Sequence, residues 1–316
     1  MFTIKEIKEA GIRISPYINS TPMLTSSTLN KITGASLYFK CENFQKTGSF
    51  KFRGACNAIF ALSPEQTQYG VATHSSGNHG AAVAYAAKLR GIKAYVVMPK
   101  TSSEIKKLAV NEYEGIITFC EPSLAARKAT LDEIIHETGA TLIHAYENEQ
   151  VIYGQGTAAL ELLLESGDRD LDIIIAPIGG GGLLSGTAIA AKELSPRITV
   201  IGAEPETAND AYLSFKSKNL VSSPSSNSIC DGLLTSLGKT AFSIILKNVD
   251  DIHLASEQSI ISATRYIWER MKIIAEPSAA ITLAIILEHA QYFKNKKIGL
   301  ILSGGNVDIK QMANYF

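Results

Sequence analysis

Read for hydrophobic periodicity, the chain alternates between two textures. Short, nearly continuous apolar runs predict strands: LYFKCE (37–42), GVATH (70–74), KAYVVMP (93–99), GIITFC (115–120), ATLIHA (140–145), DIIIAPIG (172–179), ITVIGAEP (198–205) and IGLILSGG (298–305). Ala-rich runs predict helices: GAAVAYAAKLRG (80–91), closed by Gly91, then SEIKKLAVNEY (103–113), LAARKATLDEIIHETG (124–139), GTAALELLLES (156–166) and LLSGTAIAAKEL (183–194). Strands that alternate with helices, and are apolar on both faces, imply a parallel sheet covered on both sides, so the fold class is α/β. The Ser-rich stretch KNLVSSPSSNSICDG (218–232) is the most loop-like segment, a linker or a mobile part of an active site. In such sheets ligands bind beyond the carboxyl ends of the strands, so the residues that follow each strand carry the functional question.

Composition narrows the classes. At 316 residues the chain exceeds the roughly 250–300 at which a single core stops growing, so two lobes are expected. Thirty basic and thirty acidic residues cancel, and no basic stripe points to nucleic acid or a membrane surface. The N-terminus lacks the apolar core of a secretory signal. The longest apolar stretch, about 278–287, falls short of the ~20 residues of a membrane helix. Cys41, Cys56, Cys120 and Cys230 lie far apart with no CxxC, so neither a zinc site nor a disulfide framework is indicated, and a reducing cytoplasm is expected.

Four segments carry chemistry. Gly179, Gly180, Gly181 and Gly182 stand between a predicted strand and a helix N-terminus. Their uncovered N–H groups and the helix dipole make an anion cradle, and four glycines are more than a turn needs. Glu204 ends the next strand, where a dinucleotide fold keeps its ribose acid. The loop, however, does not fit G-x-G-x-x-G, because Leu184 or Ser185 stands where the last glycine belongs. A single phosphate suits it better. Lys51 lies between Phe50 and Phe52 with Arg53 nearby. Desolvation and a neighbouring cation would lower its pKa, as an amine that condenses with pyridoxal phosphate requires. Ser75, Ser76, Asn78 and His79 open a helix after the strand that ends at His74, offering donors to a carboxylate or phenolate. Ser303 follows the last strand.

ENFQKTGSFKFRGA, SSGNHGAAVAYAAKL, GGGGLLSG and LSGGNVD occur in that order, and together they resemble the fold-type II pyridoxal-phosphate enzymes, in particular the serine racemase and threonine/serine ammonia-lyase (dehydratase) group. The resemblance spans nearly the whole chain. It implies a large lobe of residues 1–69 and 148–316, a small substrate lobe of residues 70–147, and a cofactor, pyridoxal 5'-phosphate, between them. Lys51 would carry the cofactor and exchange protons on one face, and Ser76 would do so on the other. Gly179 to Gly182 would hold the phosphate, Asn78 the ring hydroxyl and Ser303 the ring nitrogen, with Glu276 near the ring. Ser75, Ser76, Asn78 and His79 would take the substrate carboxylate, and Arg127 and Thr235 would complete the substrate pocket. Glu204, Asp210 and the Ala208 carbonyl match a divalent-cation site, with oxygen ligands that suit Mg2+ or Ca2+, or Mn2+. A homodimer is implied. The chain departs from the family at Ala81, at Ala145-Tyr146 and at Thr235, all near the substrate. It ends soon after Ser303, so no isoleucine-binding regulatory domain is expected.

The expected reaction is β-elimination from L-threonine or L-serine, giving a keto acid and ammonia, with serine racemisation at the same site. The alternatives are a serine racemase first and foremost, a threo-3-hydroxyaspartate ammonia-lyase, a nicotinamide oxidoreductase using the glycine loop, and a silent binding protein. The missing third glycine counts against the oxidoreductase. Intact Lys51, Ser76 and Ser303 count against the silent protein.

Overall fold

The computed structural model describes residues 2–75, 77–167, 170–222 and 227–316. Among these residues ten strands form two sheets. Strands β1 (Met23–Leu24), β2 (Ser36–Cys41), β7 (Ile173–Pro177), β8 (Thr199–Pro205), β9 (Asp251–Ala255) and β10 (Lys297–Leu302) make one sheet in the order β1-β2-β10-β7-β8-β9. Every pairing in it is parallel except β1 with β2. Strands β3 (Val71–His74), β4 (Ala94–Pro99), β5 (Ile116–Cys120) and β6 (Thr141–Leu142) make a second, all-parallel sheet in the order β5-β4-β3-β6. All five residues of β7 are buried, as two-sided coverage demands, whereas the edge strand β5 buries only Cys120.

Most predicted elements shift by only a residue or two. The helix after the serine run spans Asn78–Arg90 and stops at Gly91, whose φ of 73° supplies the left-handed cap. The predicted strand 140–145 contracts to Thr141–Leu142, and the helix predicted from 156 begins a full turn or more earlier, at Glu149 behind an Asn148 cap.

That long helix, Glu149–Ser166, fixes the site geometry, because it touches two other helices at glycines. A Cβ on Gly154 would stand 2.6 Å from the Arg53 carbonyl, and one on Gly54 would meet the Val151 carbonyl at 2.8 Å. A Cβ on Gly186 would sit 2.6 Å from the Gly156 nitrogen. Only bare backbone allows these approaches. They lock the helix that begins at Lys51 (Lys51–Ala61) and the helix behind the glycine loop (Gly182–Leu194) to one spine. The four cysteines are free and buried. Among the described residues, no helix is long and apolar enough to cross a membrane.

Candidate functional site

The Lys51 loop is stitched to the end of β10. Phe50 N–H donates to the Ser303 carbonyl (2.9 Å), Ser49 bridges to Gly304, and Gly305 N–H donates to the Gly48 carbonyl (2.9 Å). Glu276 N–H donates to the Gly304 carbonyl (2.9 Å), which brings a buried carboxylate to the same point. Lys51, Glu276, Ser303 and the four glycines of residues 179–182 line one cavity of about 300 Å3.

Lys51 keeps some open surface, and it lines this cavity. Desolvation lowers its pKa to about 8, against a smaller upward pull from Glu276. Its Nζ lies 5.0 Å from the centre of the Phe50 ring. Two details differ from the sequence expectation. Phe52 turns into the core, stacked at a tilt against Tyr85. Arg53 exerts no resolved pull on Lys51. Its guanidinium is fully buried on another side of the helix, bound to Glu42 (2.7 Å) and Glu161 (2.6 Å), and Glu161 is shared with Lys40 (2.9 Å).

The glycine loop leaves β7 and enters the helix Gly182–Leu194 with Gly181 at φ 90°. A Cβ on Gly180 would lie 2.3 Å from the Tyr146 ring, and one on Gly181 would lie 2.7 Å from both Ala241 and Leu237. The loop therefore presents backbone N–H groups at a helix N-terminus and admits no side chains, which fits a phosphate.

Across the cavity, Asn78 Nδ2 donates to both Glu276 oxygens (3.0 and 3.1 Å), and its Oδ1 accepts from Asn306 (3.0 Å). Burial pushes Glu276 up to about 7, Lys106 pulls it down and Asp231 pushes it up. His79 is buried and its Nε2 donates to the Ile143 carbonyl (3.0 Å). Burial drops its pKa to about 3, so the ring is neutral, and Nδ1 finds no partner among the described residues. Ser303 is buried, with its Oγ 3.5 Å from the Ser278 carbonyl. Ser75 Oγ accepts from Gly77 N–H (3.1 Å). Arg127 and Thr235 also line the cavity, and the buried Arg127 Nε has no hydrogen-bond partner among the described residues. Ser76 lies outside the described residues.

Glu204, Ala208 and Asp210 lie away from this cavity, at the end of β8 and the start of the next helix. Both Glu204 oxygens accept backbone N–H groups, from Ala211 (2.9 Å) and Tyr212 (2.7 Å), and Asp210 accepts from Leu237 N–H (2.9 Å). Among the described residues neither carboxylate is ion-paired, and no cluster of three or more His, Cys, Asp or Glu is arranged to hold a metal.

Sequence reasoning missed His74, Lys106 and Asp231, which line the cavity; Tyr146, expected near the substrate, lines it as well. Burial, with smaller contributions from His144 and Arg127, lowers His74 to about 4. Lys106 and Asp231 form an ion pair. The sequence carries no signal for that pair, since each looks like an ordinary surface charge.

The family model for pyridoxal-phosphate dependent enzymes matches residues 14–304. The chain belongs to this family. Among pyridoxal-phosphate-dependent enzymes it is 51% identical to a serine racemase of Dictyostelium discoideum, over 98% of this chain and 97% of that one. It is 46% identical to a beta-hydroxyaspartate dehydratase of Paracoccus denitrificans, over 98% of each. The solved structure of a T.th. threonine deaminase superposes with a TM-score of 0.93 at 39% identity, covering 98% of this chain and 99% of that one. The cofactor of the family is pyridoxal phosphate, and the cavity suits it: an anion cradle at one end and a depressed amine, a buried carboxylate and a neutral hydroxyl around the rest.

Proposed function

We propose that the protein is a dehydratase (ammonia-lyase) acting on L-threonine and L-serine, with serine racemase activity in the same site. The observation that carries this reading is a lysine with a pKa near 8 in one cavity with a glycine-lined phosphate cradle. Bound pyridoxal phosphate supplies an aldehyde that captures amines and a ring that takes up the electron pair left by a departing α-proton. Lys51 would hold the cofactor and, as a free amine, would accept the α-proton at Nζ, for which a pKa near the operating pH is suited. The N–H groups of Gly179 to Gly182 bind the phosphate. Asn78, its amide oriented by Glu276 and Asn306, fixes the ring hydroxyl. Ser303 offers the ring nitrogen a neutral hydroxyl, which cannot hold a proton there as a carboxylate would. That favours loss of the β-hydroxyl over transamination. Ser75 and His79 hold the substrate carboxylate. Ser76, which lies outside the described residues, would be the second proton carrier, and its return of a proton would racemise the substrate. Residues 70–147 act as the small lobe that closes on 1–69 and 148–316 and excludes water.

A second reading, ammonia-lyase action on 3-hydroxyaspartate, is favoured by the Arg127 Nε, buried in the cavity wall with no hydrogen-bond partner among the described residues, a cation available to a second carboxylate. A nicotinamide site gives Lys51 no role. The same proposal includes a divalent cation, Mg2+ or else Ca2+ or Mn2+, on Glu204, Asp210 and the Ala208 carbonyl. Two buried carboxylates with no cationic partner among the described residues support it, and each has lone pairs left after its backbone contacts. It also includes a cytoplasmic homodimer.

The test is product analysis of the cofactor-loaded enzyme with L-serine, L-threonine and L-threo-3-hydroxyaspartate. Keto acid and ammonia from the first two, with D-serine from L-serine, support the main reading. Turnover of 3-hydroxyaspartate alone supports the second. No product from any of the three rejects both.

A further inference from the structure

Lys106 sits in the helix Glu104–Glu112, which lies between β4 and β5. Asp231 opens the short turn Asp231–Leu233, in the segment between β8 and β9. Their ion pair is the one such pair, among the described residues, that joins the four-stranded-sheet region to the six-stranded one. The two ends differ in exposure: the Lys106 side chain is 12% exposed and that of Asp231 is 54% exposed.

Two further contacts give the pair its meaning. The lysine stem lies against the backbone that opens the substrate helix, since a Cβ on Gly77 would stand 2.5 Å from Lys106 Cδ. Lys106 and Asp231 also line the main cavity together with Glu276, and the same three residues line a second cavity of about 380 Å3. Other side-chain ties between the two regions among the described residues include amide contacts near this point, Asn78 to Glu276 and Asn306 to Asn78, and a neutral-to-charged contact farther along, Thr240 Oγ1 to Glu147. The lysine thus places its charge where the two cavities meet, beside the carboxylate that orients Asn78.

We propose that Lys106 is a positioning residue for the reaction at Lys51: tied to Asp231 across the cleft, it holds the Gly77 backbone and the Glu276 carboxylate in place and keeps the cleft closed. This rests on the functional reading above. With Asp231 largely in water, the pair adds little to fold stability. Its effect is on where the Lys106 charge stands and on how often the cleft opens.

The test uses the cofactor-loaded enzyme and the variants Lys106→Gln, Asp231→Asn and Lys106→Arg. The readouts are kcat/KM for L-serine and the rate at which hydroxylamine strips the lysine-bound cofactor in the absence of substrate. That second rate reports opening of the cleft without turnover. We expect Lys106→Gln and Asp231→Asn to lower kcat/KM about tenfold and to speed stripping several-fold, with Tm moved by no more than about 3 °C. Lys106→Arg should behave nearly as wild type. Values of both readouts within twofold of wild type in Lys106→Gln and Asp231→Asn would overturn the proposal, as would Lys106→Arg being as impaired as Lys106→Gln. A wild-type protein that never takes up pyridoxal phosphate would instead sink the reading of the site itself.

Discussion

The cavity around Lys51 and the charge network around Arg53 begin two residues apart on one helix. Both withdraw a cation from water, and desolvation is the largest influence on each. The outcomes are opposite. Arg53 meets Glu42 and Glu161 at hydrogen-bond distance and stays charged, tying β2's end and the long helix to the Lys51 helix. Lys51 has no carboxylate in hydrogen-bond contact among the described residues, only the more distant pull of Glu276, and its pKa falls to about 8. Burial alone does not make a reactive group. Burial without a paired carboxylate depresses the amine, and the same helix carries one arrangement at the proposed reaction site and the other as support.

Lys51→Ala should break the reactive side of this comparison with the largest effect. Loss of both elimination and racemisation by at least about a thousandfold is expected, with the fold intact by circular dichroism. In the wild type the rate should fall as pH drops through about 8, because the protonated amine cannot accept the α-proton. A rate that stays flat down to pH 6 would argue against Lys51 as the base. Arg53→Met should break the structural side, leaving Glu42 buried and unpaired, at a cost of about 3–5 kcal/mol in denaturant unfolding. A cost below about 1 kcal/mol would reduce the network to the rank of a surface pair. Arg127→Gln sharpens the comparison, since it removes a cation that lines the same cavity as Lys51. A loss of roughly 10–100-fold in kcat/KM for 3-hydroxyaspartate, and much less for serine, is expected if a second carboxylate binds there. Equal losses for the two substrates would argue against it. The smallest effect should come from EDTA, with Tm lowered by a few degrees and restored by Mg2+. No change in Tm or activity would remove the cation.

Much of this was readable from the sequence, for identifiable reasons. β7, β8 and β10 are short apolar runs with glycine, proline or serine at their ends, so their identity and the residues beyond their carboxyl ends could be read locally. The start of the helix Glu149–Ser166 could not, because Gly154 and Gly156 weaken the helical signal and are explained only by the helices they touch. The direction of Arg53 was misread for a related reason. Proximity in sequence to Lys51 suggested influence, whereas the helix turns the guanidinium toward Glu42 and Glu161. The Lys106–Asp231 pair joins segments 125 residues apart and leaves no trace in either one.

The most direct test of the central claim is an absorption spectrum of the purified protein with pyridoxal phosphate, for wild type and Lys51→Ala, before and after L-serine. A violet-region band from lysine-bound cofactor, shifting on addition of L-serine in the wild type and missing from Lys51→Ala before substrate is added, is the predicted result. A wild type that stays colourless, or a Lys51→Ala variant with the same band, would contradict the account and return Lys51 to the role of an ordinary lysine.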